Sequence, residues 1–283
     1  MTTGTRSVER ETSRAGPARP RQLIVSIFGL YARTEHNWLS VASIVRLMDI
    51  LGVDGPAVRS SISRLKRRGT LVARQHGSAA GYAPSQAILD VLAEGDIRIF
   101  DRNRAVIDDG WVLVVFSIPE SEREKRHALR SSLTQLGFGT AAPGVWVAPG
   151  NLARETRETL ERRGLSTYVD MFRSEHLAFG DLRSKVRAWW NLDELAVLYA
   201  DFITRHRPIL DRAMSTGLPF REAFSEYVPM LTTWRRLPYL DPGLPLSLLP
   251  PGWNGVIAGE LFDDLNRTLS GPAREYAMGI IGS

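Results

Sequence analysis

The stretch from Asp54 to Gly77 concentrates positive charge. It contains six arginine or lysine side chains and one histidine, and no acidic residue occurs between Asp54 and Asp90. An ordinary surface helix mixes both signs of charge, which pair along the helix. The first 76 residues hold 13 basic and 5 acidic residues, a net charge of +8, so the rest of the chain carries −3 of the total of +5. This asymmetry predicts an anionic partner for the N-terminal part.

Within this stretch, residue spacing predicts a helix from Asp54 to Arg68. Asp54 is a good N-cap, and Pro56 is tolerated in the first turn. The apolar stripe is Val58, Ile62 and Leu65. The opposite side carries small hydroxyls followed by arginines, which suits the DNA major groove: short side chains permit close approach, and arginine reads guanine or holds phosphate. We therefore predict DNA binding, with a solvated basic face as the alternative.

The predicted DNA contacts fall into three groups. Base contacts are predicted for Ser60, Ser63 and Arg64, with Ala57 near a thymine methyl. Phosphate contacts are predicted mainly for Arg59, Lys66, Arg67, Arg68 and Arg74. Two further predicted contacts lie outside the helix: Ser40, at the start of the preceding helix, and His76, which with Arg74 would reach phosphates or the minor groove.

The elements around this helix predict a winged helix-turn-helix domain over residues 21–85, after a disordered lead-in over residues 1–20. Residues 21–33 are apolar on nearly all sides, which indicates a buried helix. Ser40 is the N-cap of a second helix with apolar residues at helical spacing. After the third helix, TLVARQ and GYAPS indicate two short strands, separated by the flexible HGSAAG.

We predict a linker helix over residues 86–110. After it, we predict a ferredoxin-like domain over residues 111–176. The apolar run WVLVVF indicates a buried strand. Ser121 with Glu124 forms a capping box for a helix, and Asn151 is the predicted cap of another. With a hairpin between them and STYVDMF as the last strand, the order is β-α-β-β-α-β.

Residues 181–283 predict a helical domain for dimerisation, effector binding or both. Asn191 with Glu194 resembles a cap pair, and a proline-rich loop precedes a final helix from about Val256 to Leu269. The predicted fold class is therefore α+β and multidomain.

Aromatic and basic side chains in this last region are candidate effector contacts: Trp189, Trp190, Trp234, Arg235, Arg236 and Trp253. Core packing or a dimer interface is the ordinary explanation for such residues. The alternative is the wall of a pocket for an aromatic ligand whose anionic handle the arginines bind, covered by the proline-rich loop.

No catalytic or cofactor motif fits its surroundings. GFGTAA at residues 137–142 matches a dinucleotide fingerprint, but a helix precedes it and a hairpin follows. Ser63 and Lys66 match S-x-x-K without the companion motifs of that chemistry. The five histidines are scattered singly and there is no cysteine. We predict no enzyme, no metal and no cofactor.

The sequence also predicts a cytoplasmic protein. The N-terminus lacks the apolar segment of a signal peptide. No apolar run reaches the ~18 residues of a membrane span. The absence of cysteine fits a reducing compartment.

Several stretches resemble the PaaX family of bacterial transcriptional repressors. RQLIVSIFGLYAR, WLSVASIVRLMDILGVDGPAVRSSISRLKRRGTLV and GYAPS resemble its DNA-binding part; WVLVVFSIPESERE and GVWVAPG resemble its central domain; FREAFSEYVPMLTTWRRLPYLDPGLPLSLLPPGW resembles its third. The likeness covers about residues 21–270. It implies a homodimeric repressor of aromatic-acid (phenylacetate-type) catabolic genes that binds a double-stranded operator and is released by an aromatic acyl-CoA such as phenylacetyl-CoA. It assigns no effector-binding residue.

Two alternatives stay open. The ferredoxin-like unit also resembles small CRISPR-associated endoribonucleases, which would imply a metal-dependent nuclease. In those enzymes the first strand leads to a metal-binding aspartate, whereas here it ends Phe116-Ser117-Ile118-Pro119. The second alternative is a DNA-binding module that responds to no ligand.

Overall fold

The structure is a computed structural model that describes residues 18–34, 36–101, 103–177 and 179–283. It combines helices with two antiparallel sheets, which confirms the predicted α+β class. Residues 1–17 of the predicted lead-in lie outside the described residues, and Pro20 already belongs to the first helix.

The N-terminal elements are three helices and a small sheet. They are α1 (Pro20–Tyr31), β1 (Leu39–Ser40), α2 (Val41–Ile50), α3 (Gly55–Arg67), β2 (Leu71–His76) and β3 (Ala79–Pro84). The sheet order is β1-β3-β2. Helix α4 (Gln86–Phe100) follows.

The central elements form a four-stranded antiparallel sheet with two helices. They are β4 (Trp111–Phe116), α5 (Arg123–Gln135), β5 (Gly139–Ala142), β6 (Val145–Pro149), α6 (Ala153–Arg162) and β7 (Val169–Ser174). The sheet order is β5-β6-β4-β7. The remaining elements are α7 (Leu182–Trp189), α8 (Leu192–Thr216), α9 (Phe220–Trp234), α10 (Leu237–Leu240) and α11 (Asn254–Ile281).

Three of the predicted N-terminal caps are confirmed. Ser40 Oγ accepts the Ser43 N–H at 2.9 Å, and Asp54 Oδ1 accepts the Ala57 N–H at 2.7 Å. The Asn191 side chain accepts the Glu194 N–H at 3.1 Å, and the Glu194 carboxylate accepts from the Asn191 amide at 2.8 Å.

Two predicted caps are wrong because the chain first makes a 3₁₀ turn. The Glu122 N–H bonds to the Pro119 carbonyl at 3.0 Å, so α5 begins at Arg123 without a capping box at Ser121. Another 3₁₀ turn over Gly150–Leu152 precedes α6, and the Asn151 amide donates to the Asn103 carbonyl at 3.5 Å instead.

The chain forms two compact units that are not continuous in sequence. The first comprises the described residues up to Ile97 with Ala200–Arg235 and Ile257–Ser283. The second comprises Arg98–Tyr199 and Arg236–Val256.

In the first unit, α1 packs against α9 through a buried polar contact. Ser26 Oγ lies 2.7 Å from Thr232 Oγ1, and Thr232 Oγ1 lies 2.6 Å from the Val228 carbonyl oxygen. Because a carbonyl oxygen only accepts, the Thr232 hydroxyl donates to Val228 and the Ser26 hydroxyl donates to Thr232. The first helix of the chain is thus bonded to a helix about 200 residues later.

Helix α2 is tied to α11 in the same unit. The Arg46 guanidinium donates to the Ile280 carbonyl at 3.1 Å and to Ser283 Oγ at 2.8 Å. A cation at the C-terminal end of a helix complements its dipole. The helix that precedes α3 is therefore held by both charge and hydrogen bonding.

In the second unit, one face of the four-stranded sheet packs against α5 and α6. Its core includes Val112 and Val114 from β4, Leu129 and Leu133 from α5, and Leu160 from α6. This apolar layer holds the unit together, since burial of each such side chain contributes about 1.5–3 kcal/mol.

Candidate nucleic-acid interface

Helix α3 separates an apolar side from a polar side. Val58, Ile62 and Leu65 are all buried, and the helix packs against α1 and α2. The Asp54 cap fixes where the helix begins. The serines and basic residues between these apolar positions therefore point away from the core.

The structure places most of the predicted DNA-contact residues on the surface of the first unit. Ala57 and Ser40 are half-buried. The exposed residues are Arg59, Ser60, Ser63, Arg64, Lys66, Arg67, Arg68, Arg74 and His76. Eight of the eleven predicted contacts lie on α3 or at its C-terminal end, two lie on β2, and Ser40 is the cap of α2.

The basic side chains of α3 and β2 form no ion pair with any described residue. They are Arg59, Arg64, Lys66, Arg67, Arg68 and Arg74. Some arginines elsewhere in the first unit are paired, as Arg212 is with Glu222 and Glu226 at 3.2 and 2.8 Å. Six exposed, uncompensated cations on neighbouring elements produce a local positive potential that an anion would neutralise.

The hairpin of β2 and β3 adds a second basic element. Leu71 pairs with Pro84 and His76 with Ala79, which leaves Gly77 and Ser78 as the turn. Gly77 has a φ of 58°, in the left-handed region that favours glycine. Arg74 and His76 are two residues apart in β2, so their side chains share one face of the hairpin.

Sequence reasoning missed Trp38, which lies against this face. Its indole Nε1 donates to the Arg74 carbonyl at 3.2 Å, and its ring centroid lies 5.5 Å from that of His76. A Cβ at Gly81 would overlap the indole and the Leu39 carbonyl oxygen. The glycine within an otherwise regular strand was the available signal, because such a position often marks close approach of another group.

The predicted effector residues are divided between the two units. In the second unit, Trp189 and Trp190 are brought together with Trp111 at ring distances of 5.8–6.2 Å. The Trp190 Nε1 donates to the Gly137 carbonyl at 2.9 Å. Arg236 belongs to the same unit and is exposed.

Trp234 and Arg235 belong to the first unit, where both have structural partners. The Trp234 ring stacks on Phe262 at 4.5 Å and contacts Phe202 at 5.0 Å. Arg235 donates to the Gln22 carbonyl at 3.2 Å. Core packing, the ordinary explanation, accounts for Trp234.

Trp253 presents an unused hydrogen-bond donor in the second unit. The side chain is buried, its ring makes an edge contact with Tyr199 at 6.0 Å, and its Nε1 has no hydrogen-bond partner among the described residues. The adjacent Asn254 donates to the Ala196 carbonyl at 2.7 Å, while its buried Oδ1 is also unpartnered within the described chain. A donor and an acceptor therefore lie unsatisfied on neighbouring residues.

His206 is a buried side chain of the first unit with unsatisfied polar atoms. It is buried beside Phe202, and neither ring nitrogen has a partner among the residues described. Burial lowers the pKa of His206 to about 4, helped by the positive charge of Arg205 and opposed by Asp201. The imidazole is therefore neutral near pH 7.

The described part of the chain contains no cluster of three or more histidine, aspartate or glutamate side chains that could hold a metal ion. No helix in that part is long and apolar enough to cross a membrane.

Comparison with solved structures finds a protein of similar fold. The uncharacterized protein Rv0674 from Mycobacterium tuberculosis matches with a TM-score of 0.55 and 20% identity, over 93% of this chain and 99% of that one. At this identity the likeness establishes a shared fold alone.

Comparison of sequences adds a relative and three family models. The Transcriptional repressor PaaX of Escherichia coli (strain K12) is 28% identical over 257 residues, which cover 87% of this chain and 79% of the relative. Residues 19–88 match the model of the PaaX-like protein, residues 104–186 the PaaX protein central Cas2-like domain, and residues 190–279 the PaaX-like protein C-terminal domain. Because these models cover most of the chain in order, the resemblance seen in the sequence is confirmed: the chain belongs to the PaaX family.

Proposed function

We propose that the protein is a DNA-binding transcriptional repressor that uses α3 as its recognition helix. The observation that carries the proposal is the exposed side of α3, where small hydroxyls lie beside cations that have no carboxylate partner among the described residues. The name of the Escherichia coli relative supports a regulator rather than an enzyme.

The arrangement of the N-terminal elements supports a winged helix-turn-helix. Helices α1–α3 precede the β2–β3 hairpin, which is the wing in this proposal, and β1 joins the hairpin as a third strand. In such domains the recognition helix enters the major groove. The wing then reaches the flanking backbone or minor groove, where Arg74 and His76 would make contact.

The predicted residue roles carry over to this proposal. Ala57, Ser60, Ser63 and Arg64 would read bases. Arg59, Lys66, Arg67, Arg68 and Arg74 would mainly hold phosphates. Ser40 is the weakest candidate, because its hydroxyl already caps α2.

The central elements support a ferredoxin-like domain. The chain order β4-α5-β5-β6-α6-β7 and the antiparallel sheet order β5-β6-β4-β7 are both typical of that fold. The metal-dependent nuclease that this fold suggested is not favoured, because β4 is followed by Ser117, Ile118 and Pro119 and not by an aspartate.

For the regulated genes and the effector, the proposal follows what the PaaX family implies. We propose a cytoplasmic homodimer that represses phenylacetate-type catabolic genes and leaves its operator when an aromatic acyl-CoA binds. Such an effector acts only if it binds the DNA-incompetent state more tightly than the competent one.

For the effector we propose a site in the second unit that includes Trp253. Its buried, unpartnered Nε1 and the Oδ1 of Asn254 are a donor and an acceptor. A secondary amide, of which the coenzyme A arm has two, offers the complementary pair. Trp189 and Arg236 remain candidates for the aryl group and the phosphates, whereas Trp190, Trp234 and Arg235 are left out because of their structural contacts.

Titration of labelled DNA tests the proposal. The purified protein is titrated against a fragment of its own upstream region and a scrambled fragment of equal length, at several salt concentrations. We expect tighter binding to the upstream fragment by at least 10³-fold, the low end for specific recognition. Equal affinity for both fragments would contradict a sequence-specific repressor, and no binding to either would contradict DNA binding itself.

A further inference from the structure

We infer that Trp38 is a positioning residue for the wing: it holds β2 so that Arg74 and His76 face DNA together. The inference rests on the proposed function for the DNA contact, but its structural part can be measured without DNA.

The geometry places one side chain across all three strands of the small sheet. Trp38 precedes β1, and its indole crosses β3 at Gly81, where any Cβ would overlap it. On the far side, its Nε1–H reaches the Arg74 carbonyl of β2 at 3.2 Å. Arg74 is the register partner of Gly81, so the indole bridges a paired position.

The same indole packs against the His76 ring. The two ring centroids are 5.5 Å apart at an interplanar angle of 39°. The Trp38 indole thus contacts the backbone carbonyl of Arg74 and the side chain of His76. These two residues share a face of β2. The indole N–H is already used by the Arg74 carbonyl, which makes Trp38 a support and not a DNA donor.

The wing needs such support because it buries little of its own surface. Every residue from Val72 to Ala80 is exposed. An isolated two-stranded hairpin is at best marginally stable in water. Trp38 therefore restrains where the outer half of the wing points.

The first test measures amide hydrogen exchange of the full chain without DNA. In Trp38→Ala we expect exchange of residues 73–80 to accelerate at least tenfold, with α1 and α9 unchanged. Trp38→Phe keeps an aromatic ring but loses the N–H, so it should be intermediate; it also serves if Trp38→Ala does not fold. Unchanged exchange of residues 73–80 in the alanine variant, or in the phenylalanine variant if only that one folds, would overturn the inference, whatever the DNA result.

The second test uses DNA and a double-mutant cycle. We expect Trp38→Ala to weaken binding about 5- to 10-fold and to remove protection at the wing-contacted positions while protection by α3 persists. Arg74→Ala should weaken binding less, and adding it to Trp38→Ala should cost nothing further, because the wing is already displaced. Additive losses with full wing protection would overturn the inference. Failure of the wild type to bind would overturn the proposed DNA contact, while the exchange result would still decide the structural role.

Discussion

At the scale of single residues, the arginines of α3 should differ in what they contribute. Arg67 is exposed, has no ion-pair partner in the described chain, and lies at the C-terminal end of the helix. As a phosphate contact it would strengthen binding to every sequence alike. We expect Arg67→Ala to weaken binding to all fragments and to reduce the salt slope of log Kd by about one unit.

The matched control is Arg207→Ala, which removes another exposed arginine from α8 in the same unit. It should leave both affinity and slope unchanged. If the two variants change the salt slope equally, or if neither changes it, Arg67 does not contact DNA.

His206 makes a residue-scale prediction about stability. Its pKa is about 4 in the folded protein because of burial, against about 6.5 in an unfolded chain. Between these values the unfolded chain binds a proton that the folded chain does not. The free energy of unfolding should therefore fall by up to about 1.4 kcal/mol per pH unit as the pH drops from 6.5 towards 4, and this residue contributes no such change above 6.5.

Urea unfolding at pH 7.5 and pH 5.5 measures this effect. The loss of stability between the two should be about 1 kcal/mol smaller in His206→Leu than in the wild type. His127→Leu, at an exposed histidine of α5, is the comparison variant and should behave like the wild type. If His206→Leu keeps the wild-type pH dependence, the imidazole is not held neutral by burial.

At the scale of elements, the α1–α9 contact predicts coupling between the DNA-binding part and the C-terminal helices. Ser26→Ala and Thr232→Val each break the buried hydroxyl pair, and each should cost about 1–2 kcal/mol of unfolding free energy. The double variant should cost little more than either single one, because both partners are then apolar. Strictly additive losses, measured by urea unfolding, would show that the two hydroxyls act independently.

Local sequence signals predicted the start of a helix correctly where a capping side chain determines it. Ser40 and Asp54 begin α2 and α3 as expected. The same reasoning failed at Ser121, where Pro119 starts a 3₁₀ turn first. The last helix was also predicted to end at about Leu269, whereas α11 continues through Pro272 to Ile281. Burial of Leu269, Ala273 and Ala277 on one side of α11 explains why packing outweighs the break that proline favours.

Contacts between distant parts of the chain could not be predicted. The charge and spacing of α3 indicated the candidate DNA-binding face, and the structure exposes nearly all of it. Trp38 was missed because its partner Gly81 lies 43 positions later. The packing of α9 and α11 with the N-terminal helices leaves no local pattern, since both helices have ordinary apolar faces.

At the scale of the whole molecule, the proposed effector site predicts that DNA binding and effector response can be separated. Trp253→Phe keeps an aromatic side chain and removes the unpartnered donor. We expect phenylacetyl-CoA binding, measured by calorimetry, to weaken about 5- to 20-fold, the cost of one lost buried hydrogen bond. DNA affinity without effector should stay at the wild-type value.

If the donor is only an unsatisfied buried group, the result differs. Trp253→Phe should then bind phenylacetyl-CoA as the wild type does and be as stable or more so, because an unpartnered polar atom has been removed. That outcome would remove Trp253 from the effector site.

Footprinting on the protein's own upstream region tests the central claim most directly. It compares the protein alone, with phenylacetyl-CoA, and with free coenzyme A as control. We expect a two-fold protected site, with half-sites about one helical turn or a multiple apart, that disappears with phenylacetyl-CoA but not with coenzyme A. Protection that ignores the thioester would contradict the proposed effector, and a complete absence of protection would contradict α3 as a DNA-recognition helix.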